Sequence, residues 1–403
     1  MNSKLFNLHR GVRVCSLLPR GQYHIGTFTN NQSQWRGLVL LEQNKRFLSS
    51  LMKPWDKYVY ECDGDYRKET FLEDHIGGPL YEKQKDLPRL PIPSLEDTIE
   101  RFLPTAIPLA RTKEEEMALK AACKSFPEQA KMLHDRLNDR RESDMKDSSW
   151  LQQWWNQLGY LQVRDSVVHN VSYFFHFRED PTIDHDTSVA VNIQRAAAAL
   201  FATGEFRKQV CSGQLPAEQV GRNKTHLCST AYKYMFNACR IPSKGQDSYH
   251  IYDPSRCSHA IVARKGHFFS IEIVDELGDP LPITVIEKQL EKCVEIANSL
   301  PSSRPKLGVL TSTNRDNWAD TREKLLTYGG EKMKKALEIL QSGALVVNLD
   351  DEEPISRQEC GVLFLSGDLS SGNNRWFDKS INLIVANNGR AGVLGEHSMM
   401  VRM

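Results

Sequence analysis

Near its end the chain reads INLIVANNGRAGVLGEH, two apolar runs separated by Asn387-Asn388-Gly389. A β-branched, apolar run over 381–386, followed by residues that tolerate positive φ, predicts a β-hairpin. Its second strand carries His397 to the strand end, next to Glu396. An imidazole in that position can be presented to a cleft as a general base near neutral pH. Taken alone, a histidine at a strand end is more often a structural or surface residue than a catalytic one. Glu396 reads as a solvated strand-end carboxylate.

The elements upstream set the fold class. Ser94 with Asp97 makes a capping-box pattern before a helix that places Leu95, Ile99, Phe102 and Leu103 on one face. Thr112 with Glu115 opens another helix, and Ala130, Leu133 and Leu137 give a third its apolar stripe. WLQQWWNQLGY reads as a helix with Trp150, Trp154, Leu158 and Leu161 at helical spacing, ending at Gly159. A helix over 188–203 is expected to stop at Gly204 as a C-cap. Residues 258–274 predict a hairpin turning at Lys265-Gly266, and 284–300 a helix whose Thr284 and Glu287 form a capping box. Strands are expected at 306–311 and 344–349, with helices starting near Arg315 and Lys332 between them. Strands alternating with helices, mixed with hairpins, predict an α/β fold of the α+β sandwich kind rather than a regular parallel one.

Composition removes several function classes. The net charge is +1, without the concentrated basic excess of a nucleic-acid binder. No apolar run is long enough to span a bilayer. Nine cysteines, an odd number with no CxxC pair, argue for reduced thiols rather than a disulfide framework or a zinc site, so no metal is expected. Cys360, the cysteine nearest the terminal hairpin, reads as a buried or idle thiol. No GxGxxG or GxxxxGK loop follows a strand, which removes support for Rossmann and P-loop nucleotide sites.

Residues 1–41 contain no Asp or Glu, while Lys4, Arg10, Arg13, Arg20 and Arg36 spread charge among apolar residues. That is the pattern of a mitochondrial presequence, although a basic tail with no address has the same composition. Residues 42–78 form an extension with no assignment.

Six stretches appear in order: PLY at 79–81, LPRLPIPSLEDT, WLQQWWNQLGYLQVRD, RNKTHLCSTAYKYMFNACRIP, KLGVLTSTNRDNWA, and GNNRWFDKS followed by GEHS. Together they resemble the carnitine/choline acyltransferase family, and within it the fungal-type carnitine acetyltransferases. The resemblance implies the coenzyme A-dependent acyltransferase fold, in which two similar domains enclose a tunnel. Residues 144–403 would form most of the N-terminal domain, and 79–143 a helical segment that packs on the second domain. It implies carnitine and acyl-CoA as co-substrates, no permanently bound cofactor, and His397 as the catalytic base, its tautomer fixed by a hydrogen bond to the other ring nitrogen. Trp155 and Tyr160 align with residues of the carnitine pocket. An aromatic face attracts a quaternary ammonium and a tyrosine hydroxyl can bind a carboxylate, yet both residue types also suit an ordinary helix core.

Six residues follow His397. Family members continue for about as long again, and the oxyanion serine, the coenzyme A loop and the carboxylate-binding residues belong to that later half. The wider superfamily places an aspartate and a glycine where this chain has Val401 and Arg402. The expectation is therefore a carnitine O-acetyltransferase-like chain that ends just after its catalytic histidine and is inactive by itself. A non-catalytic fragment that binds a full-length homologue, and a choline or medium-chain carnitine acyltransferase relative, are the alternatives. Helices between 94 and 138 would expose apolar faces able to associate, and a peroxisomal address would lie in the later half.

Overall fold

The structure, a computed structural model, describes residues 13–17, 23–27, 78–143, 149–254, 256–300, 306–368 and 371–399. The extension 42–78, apart from its last residue, lies outside the described residues, as do most of the presequence reading and positions 401 and 402. The chain divides into a smaller unit, 83–157, and a larger one, 1–82 with 158–403.

The larger unit is built on a mixed sheet. Its strands are β1 (Arg13–Leu17), β2 (Tyr23–Thr27), β3 (Tyr173–His176), β8 (His259–Arg264), β9 (His267–Glu272), β10 (Val346–Leu349), β11 (Ile381–Val385) and β12 (Ala391–Gly395), with the short β4 (Gln219–Val220), β5 (Thr225–His226), β6 (Ala238–Ile241) and β7 (Ser248–Ile251) in two separate ribbons. The order across the main sheet is β2-β1-β9-β8-β10-β11-β12-β3. β8, β10 and β11 run parallel to one another and every other pair is antiparallel.

Local chemistry explains the two hairpins. Lys265 and Gly266 have φ of 52° and 74°, the left-handed pair that joins β8 to β9 tightly. Between β11 and β12 only Gly389 takes positive φ, and Ala386 and Arg390 close the loop by a backbone bond of 2.9 Å. Side chains alternate along these strands, so Ala260, Val262, Leu383 and Val385 meet the Val191–Cys211 and Ile283–Ser299 helices. Ile261, Ala263 and Val346 belong to the cluster that the Arg315–Ser342 helix completes with Trp318, Met333 and Leu337. Helices thus cover both faces of the sheet, the sandwich that alternating elements predict.

Several local expectations are corrected. The 188–203 helix does not stop at Gly204; it runs from Val191 to Cys211, and a Cβ at Gly204 would lie 2.9 Å from Pro280 Cβ, so the glycine serves close packing. The helix expected from Thr284 starts at Ile283 after Pro282 with no side-chain cap. The expected strand at 306–311 is a 3-10 helix, Leu307–Ser312. The Arg357–Leu365 helix went unread, although Ser356 and Glu359 form a complete capping box before it.

In the smaller unit, Ser94 Oγ accepts from the Asp97 amide at 3.0 Å and caps the Leu95–Ala106 helix. The two helices expected after Thr112 are one, Lys113–Ser143, which continues through Pro127. Arg140 ties its end to the tryptophan segment, donating to Trp150 O and Gln153 Oε1 with its guanidinium 4.3 Å from the Trp154 ring centroid. Nothing in Leu95–Ala106 is buried; Phe102 and Leu133 are exposed, while Leu95, Ile99 and Leu137 are half-buried.

Candidate active site

β12 ends at Gly395, and His397 sits in the turn that follows, half-buried. Its ring lies between two tyrosines. The Tyr160 centroid is 5.5 Å away at a tilt of 57°, and the Tyr173 centroid 5.0 Å away at 82°. Tyr173 comes from β3, which pairs with β12 so that Tyr173 faces Gly395. The tautomer-fixing hydrogen bond expected for His397 is not made among the described residues; its ring packs against the Tyr160 and Tyr173 rings.

Glu396 corrects the reading of a solvated carboxylate. It is 1 % exposed and paired with Arg240 at 2.9 Å. Its other oxygen accepts from Ser398 Oγ at 2.5 Å and the Met399 amide at 3.1 Å. Arg240 in turn donates to Asp247 at 2.7 Å, Asp247 accepts from Arg315 at 2.7 Å, and Arg315 donates to Asp378 at 2.7 Å. Trp318 Nε1 also donates to Asp378, and Arg164 reaches the second oxygen of Asp247 at 2.9 Å. A ladder of alternating charge therefore runs beneath the histidine turn.

Burial works against each charge in that ladder, and the partners decide the outcome. It opposes the charge on Arg240, but Glu396 and Asp247 outweigh it and hold the guanidinium more firmly protonated than usual. Burial would raise the Asp247 carboxyl, yet Arg315, Arg240 and Arg164 pull it below the ordinary range. Asp378 goes the other way, because complete burial pushes its carboxyl up despite Arg315. Burial, with Glu396 nearby, also raises the Tyr173 hydroxyl.

The sequence model described as Choline/Carnitine o-acyltransferase matches residues 90–401. The chain belongs to the choline/carnitine O-acyltransferase family. Among its relatives, mitochondrial carnitine O-palmitoyltransferase 2 of Mus musculus is 31% identical over 350 residues, covering 79% of this chain and 51% of the relative. Mitochondrial carnitine O-acetyltransferase of Saccharomyces cerevisiae is 30% identical over 336 residues, covering 80% of this chain and 47% of the relative. The chain spans about half the length of the curated relatives it matches.

In this chain the structure brings Tyr160 and His397 together. Trp155, the first residue of the Trp155–Leu161 segment, belongs to the smaller unit and is exposed. That segment is a π-helix, so the face expected at α-helical spacing is not kept: Trp154 and Leu158 are exposed and Leu161 is buried. Cys360 is a free, fully buried thiol, as read. Among the described residues no group of His, Cys, Asp and Glu is placed to hold a metal, and no helix is long and apolar enough to cross a membrane. Sequence reasoning missed Tyr173 and the ladder. A signal was present: NACRIP and RWFDKS each set charged residues beside apolar or aromatic ones, which is where paired buried charges occur.

Proposed function

We propose that this chain supplies the base-bearing part of a carnitine O-acyltransferase site, with a short acyl group passing reversibly between coenzyme A and carnitine. His397 takes the proton from the attacking carnitine hydroxyl or coenzyme A thiol, and no covalent acyl-enzyme forms. The observation that carries this reading is His397 itself, at the end of the β11–β12 hairpin between Tyr160 and Tyr173 on an anchored turn. Tyr160 and Trp155 are assigned to carnitine, the indole face for the ammonium and the phenol for the carboxylate. The reading carries with it the coenzyme A-dependent acyltransferase fold, whose second domain completes the tunnel and supplies the oxyanion donors. Without those donors, each worth about 10²- to 10³-fold in rate, residues 1–403 by themselves are expected to be inactive.

The relatives' names include both palmitoyl and acetyl transfer at similar identity. We favour the acetyl reading from the similarity of the motifs to fungal-type enzymes. Both named relatives are mitochondrial, and the acid-poor basic residues 1–41 suit the same destination. The exposed apolar residues of the helical unit, Phe102 and Leu133 among them, are assigned to contact with the completing domain.

The test is carnitine-dependent release of coenzyme A from acetyl-CoA and palmitoyl-CoA, by the chain alone and with the second half of the yeast carnitine O-acetyltransferase added. Turnover is expected only in the mixture, faster with acetyl-CoA and lost in His397→Ala. Turnover that survives His397→Ala removes the base assignment, and a preference for palmitoyl-CoA removes the short-chain one.

A further inference from the structure

The guanidinium of Arg240 reaches three different parts of the molecule. Nε donates to Asp247 Oδ2 at 2.7 Å, Nη1 to Glu396 Oε1 at 2.9 Å, and Nη2 to the backbone carbonyl of Tyr160 at 2.9 Å. We propose that Arg240 is the positioning residue of the site, a single group that sets both His397 and the Tyr160 wall against it. The inference rests on the reading of His397 as the base.

His397 is held through its neighbour Glu396. Its amide donates to Ser380 O at 3.0 Å, and its carboxylate, held by Arg240, accepts from Ser398 Oγ and the Met399 amide. Tyr249 Oη donates to Ser398 O at 3.1 Å. The backbone is thus tied down on both sides of His397, so the imidazole's position follows from where Glu396 is held. On the other side, the Tyr160–Leu161 backbone is held by Arg240 at Tyr160 O, and at Leu161 O by Arg164 at 2.9 Å and the Asp247 amide at 3.0 Å. Removing Arg240 releases the base and its wall together.

Stability does not account for such a group. Arg240, Asp247 and Glu396 have fully buried side chains, and buried ion pairs are often no more stabilising than apolar residues of the same volume. What a planar guanidinium supplies, and an ammonium does not, is donors in fixed directions to three acceptors at once. The geometry is the function the ladder performs.

The test uses the 403-residue chain and needs no turnover. Imidazole nitrogen resonances of His397, identified by their loss in His397→Gln, are recorded in Arg240→Lys and in Glu396→Gln. The rate at which diethyl pyrocarbonate modifies His397 is followed by peptide mass spectrometry, with the buried His267 as the marker of general loosening. In both variants His397 is expected to give broadened or doubled resonances and to react about fivefold faster or more, with His267 unchanged. Resonances and rate within about twofold of the parent in Arg240→Lys overturn the proposal, because charge without the fixed directions then suffices. A parallel rise at His267, or failure of both variants to fold, also overturns it and makes the ladder a stability element. Failure of the acyl-transfer reading shows in the turnover assay instead, so the two results are separable.

Discussion

The Tyr173 phenol stands at 82° to the His397 imidazole, ring centre to ring centre 5.0 Å. Room for it comes from Gly395, where a Cβ would lie 3.1 Å from Tyr173 Cζ and 3.2 Å from its hydroxyl. The edge-to-face arrangement matches the positive rim of one ring to the π face of the other.

Tyr173→Ala is expected to lower unfolding free energy by about 2 kcal/mol, less than a fully buried ring because Tyr173 is only half-buried. Tyr173→Phe keeps the ring and should stay within about 1 kcal/mol of the parent. Urea unfolding of the three proteins checks this; equal losses in the two variants would shift the role from ring to hydroxyl.

Asp247→Asn removes the charge that faces Arg240, Arg315 and Arg164 and is expected to cost about 3 kcal/mol at pH 7. The folded-state pKa of Asp247 is lowered, so its stabilisation is fully present above the unfolded value of about 3.9 and is lost as pH falls from there through the folded value. The gap between parent and variant should therefore narrow below about pH 4. Unfolding titrations from pH 7 downward measure it, and a gap independent of pH would contradict the assignment.

Lys379 is completely buried, donating to the backbone carbonyl of Gln341. Burial lowers its pKa to about 8. Between that value and about 10.4 the unfolded chain binds more protons, so this group makes stability rise with pH across the window. Lys379→Met should be more stable than the parent at pH 7 by on the order of 1 kcal/mol, after the loss of the donor to Gln341. The advantage should shrink as pH rises from about 8 to about 10. Thermal unfolding of both proteins at pH 7, 8, 9 and 10 reads the trend, and a widening difference would refute it.

A Cβ on Gly308 would lie 2.3 Å from Arg375 O and 2.4 Å from Asn373 O. Gly308→Ala is expected to destabilise by about 2 kcal/mol or more, because both obstacles are backbone. Gly159 has nothing within 4 Å of such a Cβ, so Gly159→Ala should be neutral or stabilising by about 0.5 kcal/mol. Paired melting curves decide it; equal effects would mean that close approach is not what Gly308 serves.

Much of the site could be read from residues close in sequence. The β11–β12 hairpin, the Lys265-Gly266 turn, the Ser94 cap and the place of His397 after the last strand all depend on bonds between near neighbours. Local propensity governs such bonds, and the linear pattern therefore specifies them. Resemblance in the six ordered stretches carried the family, which the match over 90–401 established.

Tertiary structure decided what depends on distant partners. Glu396 is buried rather than solvated because Arg240 lies 156 positions away in sequence and beside it in space. Gly204 sits inside a helix because Pro280 comes close to it, and the GVLTS stretch coils rather than extends with Gly308 pressed against the Asn373–Arg375 backbone. In each case the deciding quantity is the desolvation or the steric room that another part of the chain creates, and neither is a property of the local residues. The sequence by itself determined which residue stands at the end of the last strand; only the folded chain determined what holds it there.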